Sequence, residues 1–472
     1  MLLSDPTGVQ NSGLRYLPSP DHDREVRSPN QELLPLTATV NSQDCLEIGG
    51  CDVKCLVEQF GSPLYILDEV TFRTACRQYR DAFARYYPAQ SLVLYASKAW
   101  NCLAVCALAA SEGLGIDVVS GGELYTALEA GVSADQLYLH GNNKSKAELK
   151  LAVESGCTIV VDNWLELHNL VNLVETRQAT SPQPIPMMLR MTPGIECHTH
   201  EYIRTGHLDS KFGFDPNELE AVFAFVSQQP TLNCIGLHAH IGSQIFESQP
   251  HQDLAGVLVD YMSKASGYGL SIQELNVGGG LGICYTESDD PPTIDDWVKG
   301  VCEALISACE ERQLPLPRLL SEPGRSIVGS ACVTAYTIGS RKVIPGIRTY
   351  LAVDGGMSDN PRPITYQSVY RAVVGNRMSA PLTETLTIAG KHCESGDVII
   401  KEAPMPTTEP GDVFVVMGTG AYNYSMASNY NRLPRPAAVL VNEGQAELIV
   451  QRETYQDLIR FDRLPKGLAQ EG

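Results

Sequence analysis

The sequence predicts an α/β fold, in which a (β/α)8 TIM-like barrel is followed by a second, C-terminal all-β domain. Three observations support this prediction: the length of 472 residues, an alternation of β-rich runs with amphipathic stretches, and a series of short β-rich runs without helical stretches after about residue 330. At roughly 100–200 residues per domain, this length suits one large barrel and a smaller partner. The hydrophobic share of 43% allows a sizeable core and excludes global disorder.

The first part of the chain differs in composition from the rest. Residues 1–40 are rich in Pro, Ser, Asn and Asp and lack apolar periodicity, which predicts a disordered or loosely attached extension. Residues 41–66 are predicted to supply lead-in strands that join the β domain before the chain enters the barrel.

Residues 67–328 are predicted to form the barrel. About eight β-rich runs are each followed by helix-compatible sequence, and such alternation is typical of a closed parallel sheet. The predicted strands are 92–95, 115–119, 137–140, 158–161, 186–191, 234–240, 273–277 and 317–321. The clearest amphipathic stretches are 102–112, 145–155, 216–228, 248–267 and 294–314.

Residues 329–472 are predicted to form the C-terminal β domain. Their apolar runs are short and separated by Gly, Pro and Asn, as in all-β domains. The predicted strands are 332–338, 349–353, 385–388, 398–401, 413–417, 438–441 and 446–450.

Charge and cysteine content narrow the function classes. With 35 Lys+Arg against 55 Asp+Glu, the net charge of −20 argues against nucleic acid and against an anionic membrane surface as partners. No run approaches the ~18 apolar residues of a membrane span, and no basic-then-apolar signal peptide opens the chain. The 14 scattered cysteines lack zinc-site spacing and are predicted to be free thiols. We therefore expect a cytoplasmic protein.

Polar residues and glycines crowd the carboxyl ends of the predicted barrel strands. In barrels this end holds the active site, whereas the opposite end serves stability. Any one of these residues could be a buried polar group with a hydrogen-bond partner or a helix cap. Polar residues at the ends of successive strands, however, predict a catalytic barrel. The residues are Lys98, Asp117, Ser120, His140, Asp162, Arg190, His240, Gly278–Gly280 and Glu322.

Three of these positions together predict pyridoxal 5'-phosphate as cofactor. The amine of Lys98 could bind an aldehyde, and the Gly278–Gly280 backbone, helped by the Ser243 hydroxyl, could approach a phosphate. Glu322 could hold a pyridine nitrogen in its protonated form, so that the ring withdraws electrons. No metal is predicted.

Motifs from about residue 61 to 441 carry a resemblance to a known family. They are YASKA at 95–99, GIDVVSGGE at 115–123, HGNNKS at 140–145, TGHLDSKFG at 205–213, GLHAHIGSQI at 236–245, LNVGGGLGICY at 275–285, SEPGR at 321–325, VDGGMSDNPRPITY at 353–366, CESGD at 393–397 and GAYNYSMASNYN at 420–431. In this combination the chain resembles the diaminopimelate decarboxylases, in the barrel-type (alanine-racemase-like) class of pyridoxal-phosphate-dependent decarboxylases.

The resemblance implies a role for each matching residue. Lys98 would bind the cofactor aldehyde, His240 would stack on the cofactor, Glu322 would pair with the ring nitrogen, and Cys393 would donate a proton. The implied phosphate ligands are Ser243, Gly278, Gly279, Gly280 and Tyr422, and the implied substrate ligands are Arg325, Arg362, Tyr366, Glu394 and Tyr422. Cys393 and Glu394 would come from a second subunit, so a homodimer with shared active sites is expected. The segment Cys197–His200 would lie in a loop near the cofactor.

The implied reaction is decarboxylation of meso-2,6-diaminopimelate to L-lysine and carbon dioxide, the last step of lysine biosynthesis. Glu394 favours this substrate, because ornithine-specific relatives place a shorter Asp after the cysteine. A decarboxylase of ornithine, arginine or carboxynorspermidine is the alternative on the same scaffold. A racemase would typically place Arg at the ring nitrogen, and a non-catalytic paralogue would lack Lys98, Cys393 or the glycine triplet. Trp100, His392 and Ala438 depart from the family pattern.

Overall fold

The computed structural model of the chain describes residues 6–18, 27–175, 184–195 and 210–468. Within these ranges it contains a closed parallel barrel and a separate sheet-rich domain, which confirms the predicted fold class. Among the helices described, none has both the length and the apolar character that a membrane crossing requires.

The N-terminal segment packs against the β domain. Its elements are α1 (Pro6–Gln10), β1 (Thr39–Val40), β2 (Leu46–Ile48), β3 (Cys51–Asp52) and α2 (Val53–Phe60), with β1–β3 forming a small antiparallel sheet. Tyr16 and Leu34 are buried in the β-domain core, and the Asn30 amide donates to the Gly282 and Pro292 carbonyls at 3.2 and 2.9 Å. The described parts of residues 1–40 are therefore docked, where composition predicted a loose extension. A few isolated apolar anchors leave no periodic pattern, so the sequence did not reveal this docking.

The barrel follows strand β4 (Leu64–Asp68) and helix α3 (Glu69–Tyr86). Its parallel strands are β5 (Ser91–Ala96), β6 (Gly115–Val118), β7 (Leu137–Leu139), β8 (Thr158–Val161), β9 (Ile185–Arg190), β10 (Leu232–His238), β11 (Glu274–Asn276) and β12 (Arg318–Ser321). Its helices are α4 (Leu103–Ser111), α5 (Gly121–Glu129), α6 (Lys146–Ser155), α7 (Trp164–Glu175), α8 (Leu219–Ser227), α9 (Gln249–Ser266), α10 (Ile294–Glu311) and α11 (Arg325–Val328). Strand β12 pairs with β5, and this pairing closes the barrel.

Local sequence explains where these helices begin and end. In α6, the Ser145 side chain accepts the Glu148 N–H while the Glu148 carboxylate accepts the Ser145 N–H, which forms a capping box. The same helix ends at Gly156, whose φ of 84° suits glycine. Such a cap marks where the helix begins and therefore where the loop after the preceding strand ends.

The β domain is one mixed sheet with an added strand pair. Its elements are β13 (Cys332–Ile344), β14 (Arg348–Val353), α12 (Arg362–Tyr366), β15 (Ala372–Val374), β16 (Glu384–Ala389), β17 (Val398–Met405), β18 (Val413–Val416), β19 (Ala437–Asn442), β20 (Gln445–Val450) and α13 (Tyr455–Ile459). Strand β4 lies inside this sheet, antiparallel to β13 and parallel to β19. The lead-in segment thus ties the two parts together, and α12 and the loop after β18 reach the barrel mouth.

Candidate active site

Two adjoining cavities lie at the carboxyl ends of the barrel strands. The larger, about 610 Å³, lies between the barrel and the β domain, and Arg325, Arg362 and Tyr366 line it. The narrower one extends into the barrel and is lined by Lys98, His240, Gly280 and Glu322. They adjoin each other, because Ser243, Arg325 and Tyr422 border both.

Lys98 stands at the entrance of the deeper cavity. It belongs to the short 3-10 turn Ser97–Ala99 that directly follows β5, so the end of the strand directs it toward the mouth. Its side chain is exposed, whereas its neighbours Ser97 and Ala99 are buried. A primary amine that is accessible at a cavity entrance can react with an aldehyde.

Glu322 follows β12 and is held by donors from three other strand ends. Its Oε1 lies 2.8 Å from His140 Nε2 and 2.6 Å from the donating Asn276 Nδ2, and its Oε2 lies 3.1 Å from His238 Nε2. Burial opposes ionisation of Glu322, but the two histidines lower its pKa well below the usual range. Burial also lowers the pKa of His238 to about 4, so this ring donates as a neutral imidazole.

These groups form a compact, nearly dry cluster. Potential ligand atoms of His140, His238 and Glu322 lie within 4.8 Å of one another, a spacing that a metal ion could also use. Here His238 hydrogen-bonds to the carboxylate, and His140 Nε2 makes an ion-pair contact with it at 2.8 Å, so both rings already face Glu322. A fourth group, Asp117, has its Oδ1 3.7 Å from His140 Nε2, and burial raises the pKa of Asp117.

The glycine triplet divides into two structural roles. Gly278 N–H donates to Asn276 Oδ1 at 2.9 Å, and Gly279 N–H donates to His240 Nδ1 at 3.3 Å. Both groups therefore stabilise the neighbours of the site, and only Gly280 lines the deeper cavity. Burial, reinforced by the Lys98 charge, lowers the pKa of His240 well below its usual range, so its ring is neutral.

The rim between the two cavities is cationic and rich in hydroxyl groups. The Tyr285 hydroxyl accepts hydrogen bonds from Arg325 Nη1 at 2.6 Å and from Arg362 Nη1 at 2.8 Å. Arg325 also donates to Ser243 Oγ at 3.0 Å, and Arg362 donates to the Tyr370 hydroxyl at 2.7 Å. Both guanidinium groups belong to buried residues, so they act on an anion with little screening by water.

Tyr422 completes the rim from the loop after β18. Burial opposes ionisation of its hydroxyl, but the charges of Arg325 and Lys98 lower its pKa below the usual value. The same positive field would attract a phosphate or a carboxylate, although the whole chain has a net charge of −20.

Cys393 and Glu394 do not line either cavity of their own chain. Both are exposed in the loop between β16 and β17, and the Cys393 N–H donates to Asn431 Oδ1 at 2.8 Å. Of the residues that the family resemblance implies for catalysis and for binding of cofactor or substrate, the structure thus places all except these two in or beside the two cavities.

Several other predicted positions have structural roles. Ser120 caps α5 by accepting the Glu123 N–H, so its place at a strand end is explained without chemistry. Trp100, which departs from the family pattern, is fully buried and stacks on Tyr424 with ring centroids 5.2 Å apart. The segment Cys197–His200 lies outside the described residues.

Sequence reasoning missed His238, Asn276, Tyr285 and Tyr370 as site residues. His238 and Asn276 could have been found from the sequence, because residues two positions apart on a strand share a face. His238 and Asn276 precede His240 and Gly278 by two positions. Tyr285 is the last residue of the motif LNVGGGLGICY, but it lies well beyond the strand, so the sequence did not indicate which way its side chain points. Nothing in the local pattern marked Tyr370.

The residues present fit pyridoxal phosphate. The deeper cavity offers an accessible amine at Lys98 and a buried carboxylate at Glu322, and its rim is cationic. At Gly280 a Cβ atom would lie 2.8 Å from His251 Cε1 and 3.0 Å from the Gly242 carbonyl oxygen, so this position must remain bare. Such a bare backbone allows a phosphate to approach closely.

Comparisons with known proteins agree with this chemistry. The family model for the pyridoxal-dependent decarboxylase pyridoxal-binding domain matches residues 70–329. The chain is 64% identical over 449 residues to the diaminopimelate decarboxylase of Synechocystis, covering 93% of this chain and 95% of that one. It is 44% identical over 431 residues to the Bacillus subtilis enzyme of the same name, covering 90% and 97%.

A solved structure is similar over nearly the whole fold. The diaminopimelate decarboxylase of M. jannaschii, in complex with L-lysine, superposes with a TM-score of 0.84 at 31% identity. The match covers 94% of this chain and 100% of that one.

Proposed function

This chain belongs to the diaminopimelate decarboxylase family of pyridoxal-dependent decarboxylases, and on that premise we propose that its site converts meso-2,6-diaminopimelate to L-lysine and carbon dioxide. The observation that carries the choice of substrate is the Tyr285 hydroxyl shared between Arg325 and Arg362. Two buried guanidinium groups in the wall of the large cavity suit a substrate that retains a carboxylate after one has left.

Bound pyridoxal phosphate supplies the electron sink that loss of carbon dioxide requires. Lys98 is the amine that would hold its aldehyde, and the ionised Glu322 would hold the ring nitrogen in its protonated form. The phosphate would be bound by Ser243, Tyr422 and the backbone at Gly280. Gly278 and Gly279 would support this cradle from behind, since their N–H groups already donate within the protein.

The neutral ring of His240 would cover one face of the cofactor and keep water from it. Its Nδ1 accepts the Gly279 N–H, which fixes the ring orientation. In the reaction the bond between the α-carbon and the departing carboxylate breaks, and its electron pair stays on the α-carbon. The Cys393 thiol would then deliver one proton to that carbon.

The two charged groups at the far end of the substrate, a carboxylate and an ammonium, would be bound by different parts of the dimer. Arg325 and Arg362, with Tyr366 at the rim, would bind the retained carboxylate. Glu394 would bind the distal ammonium. Ornithine and arginine carry no second carboxylate, so these alternatives would leave the guanidinium groups facing water or the Tyr285 hydroxyl.

We propose that two copies of the chain share their active sites. Cys393 and Glu394 are exposed and lie outside the cavity of their own chain, although the reaction needs an acid there. A partner subunit that brings its own loop to the large cavity would complete both sites of a symmetric dimer. In this arrangement residues 67–328 form the cofactor-binding barrel and residues 329–472 form the domain that closes the site of the partner.

We also propose a cytoplasmic location. The 13 cysteines among the described residues are all free, and most of them are buried. A chain that keeps this many thiols unpaired suits a reducing compartment.

The substrate is tested by supplying the holoenzyme with meso-diaminopimelate, ornithine and arginine in parallel. We expect carbon dioxide release and lysine formation from meso-diaminopimelate, at a rate at least about 100-fold above the other two, since an unpaired buried charge costs several kcal/mol. Faster release from ornithine or arginine would overturn the proposed substrate.

The shared site is tested by mixing two inactive variants. Lys98→Ala removes the amine of one site, and Cys393→Ala removes the acid that the partner supplies. Random exchange of subunits should restore about a quarter of wild-type activity, because half of the dimers would contain one complete site. If each chain is self-sufficient, the mixture stays inactive.

A further inference from the structure

The loop 390–397, which joins β16 to β17, contains one side chain that the proposed reaction does not use. Cys393 and Glu394 are exposed, but the side chain of His392 between β16 and Cys393 has no exposed surface. His392 is also one of the positions at which the chain departs from the family pattern. A buried imidazole beside the proposed proton donor therefore calls for a physical explanation.

His392 is bound twice to Asp397 at the other end of the loop. Its backbone N–H donates to Asp397 Oδ2 at 3.0 Å, and its Nδ1 lies 2.6 Å from the same oxygen. The loop is closed further by the Asp397 N–H, which donates to the Glu394 carbonyl at 3.1 Å. The two residues therefore hold the ends of the loop together around Cys393 and Glu394.

Asp397 connects the loop to the rest of the β domain. Its Oδ1 accepts the Met357 N–H at 2.7 Å, and it is almost completely buried. A Cβ atom at Gly356 would lie 2.5 Å from Asp397 oxygens, so the carboxylate has no room to move in that direction. Through Asp397, His392 is thus tied to the loop that follows β14.

A second contact fixes the outer side of the loop. The His392 ring stacks on Tyr430 with centroids 6.0 Å apart and planes inclined by 20°. The next residue, Asn431, accepts the Cys393 N–H at 2.8 Å. Neighbouring residues of the turn Tyr430–Arg432 therefore hold His392 and Cys393 together.

We propose that His392 is a positioning residue: its hydrogen bond to Asp397 holds the Cys393–Glu394 loop in the geometry that proton delivery to the partner's site requires. This inference rests on the proposed function, in which Cys393 donates the proton and Glu394 binds the distal ammonium. A displacement of about 1 Å at a reacting group can cost about 100-fold in rate. A tether that prevents such a displacement therefore contributes to turnover without touching substrate.

The test compares two substitutions of the same position. His392→Leu keeps a similar volume but has no donor, whereas His392→Asn places an amide nitrogen close to where Nδ1 stands. We expect His392→Leu to lower kcat roughly 10- to 100-fold, and His392→Asn to stay within about threefold of wild type. The visible band of the bound cofactor should be unchanged in both, since neither variant alters a residue proposed to bind the cofactor.

A readout independent of turnover is the rate at which iodoacetamide alkylates Cys393, followed by peptide mass spectrometry. In His392→Leu the loosened loop should expose the thiol, so alkylation should accelerate at least about threefold, while His392→Asn matches wild type. Asp397→Asn weakens the same hydrogen bond by changing its acceptor, so it should behave as His392→Leu does. It replaces His392→Leu in the test if that variant does not fold. The matched control is His168→Ala, a change to an exposed histidine of α7 that should alter neither rate.

Two results would overturn the inference: wild-type kcat and alkylation in His392→Leu, or equal loss in His392→Leu and His392→Asn. The second result would assign the effect to the packing of the ring. A separate variant, Cys393→Ser, tests the proposed function itself. Full turnover in this variant would show that Cys393 is not the proton donor. In that case the alkylation contrast between the two His392 variants alone decides whether the tether exists.

Discussion

Replacing Gly280 by alanine tests the phosphate cradle at its most crowded point. The added Cβ would lie 2.8 Å from His251 Cε1, whereas ordinary van der Waals contact begins near 3.4 Å, so a shift of about 0.6 Å is required. The φ angle of 128° at this position is also one that an L-residue rarely adopts.

Neither neighbour can yield easily. His251 is buried and packs edge-on against Trp297 with ring centroids 5.2 Å apart, and the other close atom is the backbone oxygen of Gly242. We therefore expect the strand-end loop itself to move. Backbone strain of this kind costs of order 1–3 kcal/mol, and overpacking costs a similar amount.

The assay has two readouts on Gly280→Ala. Urea unfolding should show a loss of about 2–4 kcal/mol in the free energy of unfolding, and titration of the cofactor-free protein with pyridoxal phosphate should show a dissociation constant about 10- to 100-fold higher. The control is Gly256→Ala in the middle of α9, where an added Cβ meets no atom within 4 Å outside its own helix. It should gain roughly 0.5–1 kcal/mol and bind the cofactor normally. Wild-type stability and cofactor affinity in Gly280→Ala would refute the steric reasoning.

Three further predictions concern the amine, the far end of the substrate and acid stability. Lys98→Ala should lose both the visible absorption band of the bound cofactor and turnover, and an unchanged spectrum would contradict the cofactor assignment. Glu394→Asp should shift preference from meso-diaminopimelate toward a shorter diamino acid, measured as the ratio of kcat/KM values; an unchanged ratio would exclude Glu394 as the reader of the distal ammonium. Burial lowers the pKa of His251 from 6.5 to about 4, so the unfolded chain binds the proton first and stability falls as pH decreases from 6.5 toward 4. His251→Leu should therefore lose about 2 kcal/mol less than wild type between pH 7 and pH 5 in urea unfolding, and parallel losses would show that the buried ring does not titrate.

The strand and helix pattern was predictable because it depends on short-range periodicity. Strand β8 is observed at its predicted residues, and β5 differs from its prediction by one residue at each end. The regular order of these units then predicted the closed parallel sheet, since successive parallel strands require crossover helices. The docked N-terminal segment was not predictable in this way, because Tyr16 and Leu34 lie in short apolar runs that have neither helix nor strand periodicity.

For the candidate site, the sequence by itself indicated the proposed reactive groups and the end of the barrel at which they lie. Lys98, His240 and Glu322 each follow a strand, and all parallel strands of a barrel end on the same side. It did not determine the contacts between those groups. The contacts of Glu322 with His140, His238 and Asn276 join residues far apart in the chain, and no local pattern records a distance of 3 Å between them.

Only the tertiary structure decided three matters: that Tyr285 joins the two arginines, that two of the three glycines support the cradle rather than line it, and that His392 closes the loop of the proposed donor. The physical reason is the same in each case. Burial in an element follows from its own periodic pattern, whereas a hydrogen bond across the site needs the relative placement of elements, which packing of the whole chain sets.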